Sequence, residues 1–83
     1  MVSIKILGPG CANCRNLETT AREAAASMGI EAGIEKVTDL KEMLKYSILA
    51  TPGLVINGKL VCAGRVPGRQ EVLAWLARAM ESA

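Results

Sequence analysis

The sequence predicts a single α/β domain over residues 1–83, in the order β-α-β-α-β-β-α, with a four-stranded mixed sheet and helices on both faces. Three observations carry this. A short apolar run, Val2 to Leu7, is followed by a tight Gly8-Pro9-Gly10 turn and an amphipathic run to about Met28. A second strand-like run, Ile30 to Val37, follows that helix, so the first two strands form a β-α-β unit, expected to be parallel with a right-handed crossover. Finally, Asn57-Gly58 stands between two apolar runs, the strongest short-range sign of a hairpin with a type I′ turn.

Each element has a local reason. Val2-Ser3-Ile4-Lys5-Ile6-Leu7 is β-rich and partly alternating. From Ala12 to Met28, Cys14, Leu17, Ala21, Ala24 and Met28 recur at helical spacing and predict the buried stripe. Arg15, Glu18, Arg22 and Glu23 make up the solvated face, with Glu18 and Arg22 an i,i+4 pair in the favourable order. Gly29 is placed to cap the C-terminus. Ile30, Ala32 and Ile34 alternate in the second strand, which Gly33 weakens. Asp39 with Glu42 three residues on predicts a capping box. It opens a short helix whose inward side is expected to be Leu40, Met43 and Leu44, ending near Tyr46. Leu54-Val55-Ile56 and Lys59-Leu60-Val61-Cys62 are the hairpin strands. Arg69 to Glu81 is the last helix, with Val72, Leu73, Leu76, Ala79 and Met80 inward and Trp75 at the stripe's edge.

Composition bounds the function. The 83 residues are 51% apolar and 22% charged, as in a globular chain rather than a disordered one. With one Trp, one Tyr and no Phe, aliphatic residues must fill the core. A net charge of +2, without a basic cluster interleaved with aromatics, gives no reason to expect nucleic acid. No apolar run approaches the roughly 20 residues that span a bilayer. The first residues run into a strand pattern without a small-residue cleavage site. A cytoplasmic monomer without membrane contact is therefore expected. In that compartment paired cysteines are more often catalytic or metal-binding than structural staples.

The pair is Cys11 and Cys14, in Gly8-Pro9-Gly10-Cys11-Ala12-Asn13-Cys14, a Cys-x-x-Cys opening a helix after a strand. That setting is a signature of redox chemistry. The attacking species in disulfide exchange is the thiolate, and a helix start favours an anion through its unpaired N–H groups and dipole. Cys11 is expected to attack a partner disulfide and Cys14, one turn on, to resolve the mixed disulfide. Gly8 and Gly10 are expected to keep the approach to Cys11 uncrowded. The alternative use of the pair is metal binding. Structural zinc wants four ligands, and three cysteines with no histidine do not supply a Cys/His tetrad from one chain. Cu(I) needs only soft thiolates. Small heavy-metal chaperones also place Cys-x-x-Cys between a first strand and a helix, but they usually end in a strand. If the Asn-Gly turn sets the register, Cys62 lies across from Gly53 and shares a face with Gly64. Cys62 is then an apolar filler, a regulatory or dimer-forming thiol, or a third metal ligand.

With Thr51-Pro52 ahead of the hairpin, the whole chain resembles the thioredoxin fold. More narrowly it resembles the redox-active disulfide protein 2 family, through Gly8 to Cys14, Ile34 to Asp39, Thr51 to Lys59 and Gly64-Arg65-Val66-Pro67. The resemblance implies a thiol–disulfide oxidoreductase whose only cofactor is the redox-active disulfide Cys11–Cys14. It also implies a cis Pro52 packed against the pair, and a Thr51 backbone that pairs with an incoming extended peptide. Gly64 would border the groove, and Gly10, Ala12, Asn13, Thr51, Pro52 and Gly64 would contact substrate. The implied partners are disulfide-containing proteins and a thioredoxin-reductase-like electron donor, such as a flavoenzyme. Three departures stand out. Gly10 replaces the usual Trp, Ala12-Asn13 replaces the usual Gly-Pro, and the first strand offers only Ser3 and Lys5 where a buried Asp is common. The motifs by which glutaredoxins hold glutathione are absent, which favours dithiol exchange with proteins.

Overall fold

The computed structural model describes residues 2–10, 12–48 and 50–81. Its elements are β1 (Val2–Leu7), α1 (Ala12–Ser27), β2 (Ala32–Val37), α2 (Leu40–Leu44), β3 (Gly53–Ile56), β4 (Lys59–Ala63) and α3 (Arg69–Glu81). The four strands form one sheet in the order β2-β1-β3-β4. β1 runs parallel to β2 and antiparallel to β3, and β3 runs antiparallel to β4. This is the predicted α/β architecture.

Alternation on the strands sorts side chains to two faces. Val2, Ile4 and Ile6 of β1 and Leu54 and Ile56 of β3 face α1 and α3, where Leu17, Ala21, Ala24, Ala25, Val72 and Leu76 close the main core. Small alanines let α1 lie close to the sheet. The other face carries a smaller cluster of Leu7, Val37, Met43 and Val55, with Tyr46, Ile48 and Leu60 packed around it.

The two ends of α1 follow the chemistry of its sequence. Gly29 has φ 67° and ends the helix. The Ile30 N–H donates to the Ala25 carbonyl and the Gly29 N–H to that of Ala26, each at 3.1 Å, which is the Schellman arrangement. Ile30 is thereby tied to the helix end, and β2 starts at Ala32, two residues later than alternation alone suggests.

α2 departs from expectation. Asp39 caps it, its carboxylate accepting from the Lys41 N–H at 3.0 Å. The Glu42 carboxylate instead binds Lys45 at 3.1 Å. Of the three expected inward residues only Met43 is buried; Leu40 and Leu44 are 66% and 59% exposed. A five-residue helix has little more than one turn, so few positions reach the sheet. Beside it the Lys5 ammonium donates to the Tyr46 hydroxyl at 3.1 Å. The chain then turns at Ser47, with φ 55°.

The hairpin turns at Asn57 (φ 51°) and Gly58 (φ 82°), both left-handed as a type I′ turn requires. Asn57 also anchors it to β1, donating its N–H to the Ser3 carbonyl at 2.8 Å. Its side-chain oxygen accepts from the Ser3 N–H at 3.0 Å. The register is Ile56↔Lys59, Val55↔Leu60, Leu54↔Cys62 and Gly53↔Ala63, so Val61 is an extra residue in a β-bulge. This corrects the expected pairing of Cys62 with Gly53. Adding one residue turns everything beyond it to the other face, and Cys62 joins the core beneath α1 and α3.

α3 spans the predicted residues. Val72 and Leu76 are buried, whereas Met80 is 51% exposed because it falls in the last turn, beyond the packed stretch.

Candidate functional site

Where β1 ends, three segments meet. The Gly8 N–H extends the parallel ladder to the Val37 carbonyl at 3.0 Å, and α1 then begins at Ala12. Cys14, the third residue of α1, is 5% exposed. Its sulfur lies so close over Gly8 that a Cβ there would collide with it, and the Thr51 side chain borders the same spot. The end of β1, the first turn of α1 and the Thr51-Pro52 segment thus converge on one point.

The predicted site residues are distributed as follows. Cys11 lies outside the described residues. Gly10, Ala12 and Asn13 are exposed, Gly10 with φ 90°, a left-handed conformation that glycine adopts without strain. Thr51 is exposed and Pro52 buried, and the peptide bond between them is cis. The Pro52 carbonyl accepts from the Gly64 N–H at 2.9 Å, so Gly64, also exposed and at φ 82°, stands next to this segment. Cys62 is not part of the convergence; it is 9% exposed, with its sulfur 3.9 Å from the Arg65 carbonyl oxygen.

Three features escaped the sequence reading. Gly8, expected to clear the approach to Cys11, makes room for the sulfur of Cys14. Signal for this was present only in the absence of a side chain beside the motif. The second feature is an ion cluster one turn along α1. The Glu18 carboxylate accepts from Arg22 at 2.8 Å and from the Lys36 ammonium of β2 at 3.1 Å, and its side chain is only 14% exposed. The adjacent Arg22 guanidinium, and then Lys36, hold the Glu18 carboxyl below its ordinary range. The third is a cavity of about 160 Å³ lined by Gly8, Gly10, Cys14, Arg15, Glu18 and Lys36 among others, which sets that cluster beside the cysteine. Arg15 reaches back to the Gly10 carbonyl at 3.3 Å and steadies the turn.

Chemically, the arrangement offers a buried sulfur at a helix start, exposed Pro9 and Gly10 ahead of it, and an exposed Thr51 before a cis proline. Among the described residues there is no cluster of three or more Cys, His, Asp or Glu side chains that could hold a metal ion, and no helix is long and apolar enough to cross a membrane.

Comparison with known proteins agrees with this geometry. The thioredoxin-domain family matches residues 2–77. A thioredoxin of Methanothermobacter thermautotrophicus is 43% identical over 72 residues, covering 87% of this chain and 94% of its own. One from Methanocaldococcus jannaschii is 35% identical, covering 87% and 83%. Among solved structures, thioredoxin-2 of the malaria parasite superposes with a TM-score of 0.66 at 18% identity, over 94% of this chain and 82% of that one. The germline-specific thioredoxin Deadhead of Drosophila melanogaster gives 0.65 at 14%, over 93% and 79%.

Proposed function

The chain belongs to the thioredoxin family, and from that premise we propose that it exchanges electrons with protein disulfides through Cys11 and Cys14. Thiol–disulfide oxidoreduction is the activity general to the family; the residues and partners are our reading. Within the family, the loops around Gly10, Thr51 and Gly64 favour the redox-active disulfide protein 2 group.

In the forward half-reaction the Cys11 thiolate attacks one sulfur of the partner's disulfide. That bond breaks, its second sulfur leaves as a thiolate and takes up a proton, and a Cys11–partner disulfide forms. Cys14 then loses its proton and attacks the Cys11 sulfur. The second partner thiolate departs, leaving the Cys11–Cys14 disulfide. Two electrons have passed from the dithiol to the partner, and a flavin-dependent reductase would return them. α1 starts at Ala12, and the positive end of its dipole favours an anion immediately ahead of it. The exposed Thr51 backbone is offered to the substrate as a strand edge.

The observation that most supports this reading is the burial of Cys14 over Gly8, next to Thr51. Such a sulfur is shielded from outside partners and suits an internal resolving role. The test is insulin reduction with dithiothreitol. Wild type should accelerate it and Cys11→Ser should not, while Cys14→Ser should accumulate a mixed disulfide with the substrate. A wild-type protein inert with every reductant, yet carrying stoichiometric copper or zinc after anaerobic purification, would instead make it a metal-binding module.

A further inference from the structure

Lys36 is a charged residue on the inward face of a strand. In the register of β1 with β2 it stands opposite Ile6, and Ile6 belongs to the main core under α1 and α3. Directly opposed residues share a face of the sheet, so Lys36 points toward α1, and its ammonium meets Glu18 there at 3.1 Å. Glu18 Oε1 takes Lys36, while Oε2 takes Arg22 at 2.8 Å. Both oxygens are engaged, and Arg22 and then Lys36 hold the carboxyl below its ordinary range. Glu18 is thus ill suited to take up a proton near neutral pH. It acts as a strut that fixes the ammonium at the wall of the cavity of about 160 Å³ that Cys14 also lines. That volume falls short of the roughly 300–1,000 Å³ of ligand pockets, so the groups around it act on one another rather than on a ligand.

Among the described residues the charges around Cys14 are unbalanced. Arg15, Glu18 and Lys36 line its cavity, and Arg22 stands behind Glu18. β1 and the turn after it contribute only uncharged Ile6, Gly8 and Gly10. Thr38, beyond β2, and Thr51 carry no charge either. Past Gly64, Arg65 and Glu71 are bound to each other at 2.7 Å. Lys5, Glu35, Asp39 and Glu42 gather with Tyr46 on the α2 side of the sheet. Arg15, Arg22 and Lys36 therefore face a single acid, Glu18. A thiol buried in apolar surroundings resists ionisation, and a neighbouring cation offsets that resistance. We propose that Lys36, held by Glu18, is a positioning residue whose ammonium favours the thiolate of Cys14 when that sulfur must attack the mixed disulfide. Its part in that step rests on the function proposed above. In the step the Cys14 thiol gives its proton to solvent, and its sulfur bonds to that of Cys11. The Cys11–partner bond breaks, and the partner's sulfur leaves as a thiolate. Lys36 contributes charge and carries no proton.

The experiment uses the full chain carrying Cys11→Ser, with the ¹³Cβ resonance of Cys14 followed as pH rises. Lys36→Met keeps most of the stem and drops the ammonium. It should cut the thiolate fraction of Cys14 at pH 7 roughly threefold to tenfold, a range set by the solvent that screens a side chain 59% exposed. Lys36→Arg should restore the fraction. Lys59→Gln, which removes a cation at the hairpin turn, should leave it unchanged. Chloride at about 1 M screens charges without any substitution and should also lower the thiolate fraction when Lys36 is present. With Cys11 intact, reaction with dithionitrobenzoate releases a second nitrothiobenzoate as Cys14 attacks. Lys36→Met should slow that release at pH 7 by the same factor, and the gap should close at high pH. A Cys14 titration unmoved by Lys36→Met, an equal shift from Lys59→Gln, or a folded Lys36→Arg that restores nothing would each overturn the proposal. A wild type inert toward insulin would overturn the proposed function instead, and the titration would still decide this one.

Discussion

The sulfur of Cys14 occupies the space that a side chain on Gly8 would need. Gly8 has no left-handed backbone to excuse it; the requirement is room. Cys14 is buried against the end of β1 and has little freedom to swing aside. Gly8→Ala should therefore displace the sulfur from its seat. We expect a loss of about 1–3 kcal/mol in urea unfolding, the usual range for overpacking. The step assigned to Cys14 should slow by at least about tenfold, as misplacement of a reacting group does, seen as a longer-lived mixed disulfide. Wild-type kinetics in Gly8→Ala would separate Cys14 from the mechanism.

Glu18 makes stability depend on acid. Its carboxyl is held below the ordinary value of 4.5, first by Arg22 and then by Lys36. A carboxyl with a depressed folded-state pKa contributes fully above its unfolded value, and the contribution fades as pH falls through the folded value. Wild type should therefore exceed Glu18→Gln in stability at pH 6 to 7, and the difference should shrink as pH falls below 4.5 and through the lower folded value. Denaturant midpoints measured across that range check it, and parallel curves would contradict the assignment. Glu71, held low by Arg65 at 2.7 Å, adds a smaller dependence of the same sign at a more exposed position.

How far the sequence could be read depended on the distance over which its signals act. β1, α3 and the hairpin turn were legible because their causes are local: alternation, helical spacing and the conformational demand of Asn57-Gly58. The neighbourhood of Cys14 was legible only in part. Glu18 and Lys36 meet because β2 lies parallel beside β1 and next to α1, and no spacing rule pairs those two residues. The bulge at Val61 is likewise a tertiary matter. Without it Cys62 would face Met43, and the prediction failed there by one residue. Leu40 and Leu44 carried the right pattern for burial, but α2 proved too short to deliver them.

Leu17 is fully buried between the sheet and α3, in a chain with a small core. Leu17→Ala should cost about 2–5 kcal/mol, from lost transfer energy and the cavity left behind. Since domains of this size are only marginally stable, the variant should be substantially unfolded at 37 °C. Thermal denaturation followed by circular dichroism measures this, and a loss below 1 kcal/mol would mean that the core repacks.

Cys62 should behave as a filler. It faces Leu54 and the main core and is 9% exposed. In reduced native protein its reaction with dithionitrobenzoate should be at least about a hundredfold slower than in urea, because access requires opening of the surrounding core. Mass mapping of the labelled cysteines gives the answer. Prompt native labelling of Cys62 would return it to the candidates for a regulatory thiol.

The unequal cover on the two faces of the sheet carries a consequence for motion. Two long helices share the load on one side. On the other, α2 holds on through Met43, with Tyr46 and Ile48 behind it. Segments with few buried contacts open without the rest of the molecule. In native-state hydrogen exchange the amides of residues 40–48 should form the first cooperative unit to lose protection, well before β1 and β3. Since the chain returns from that unit directly into Thr51, such breathing would reach the strand edge offered to a partner while the floor beneath it stays closed.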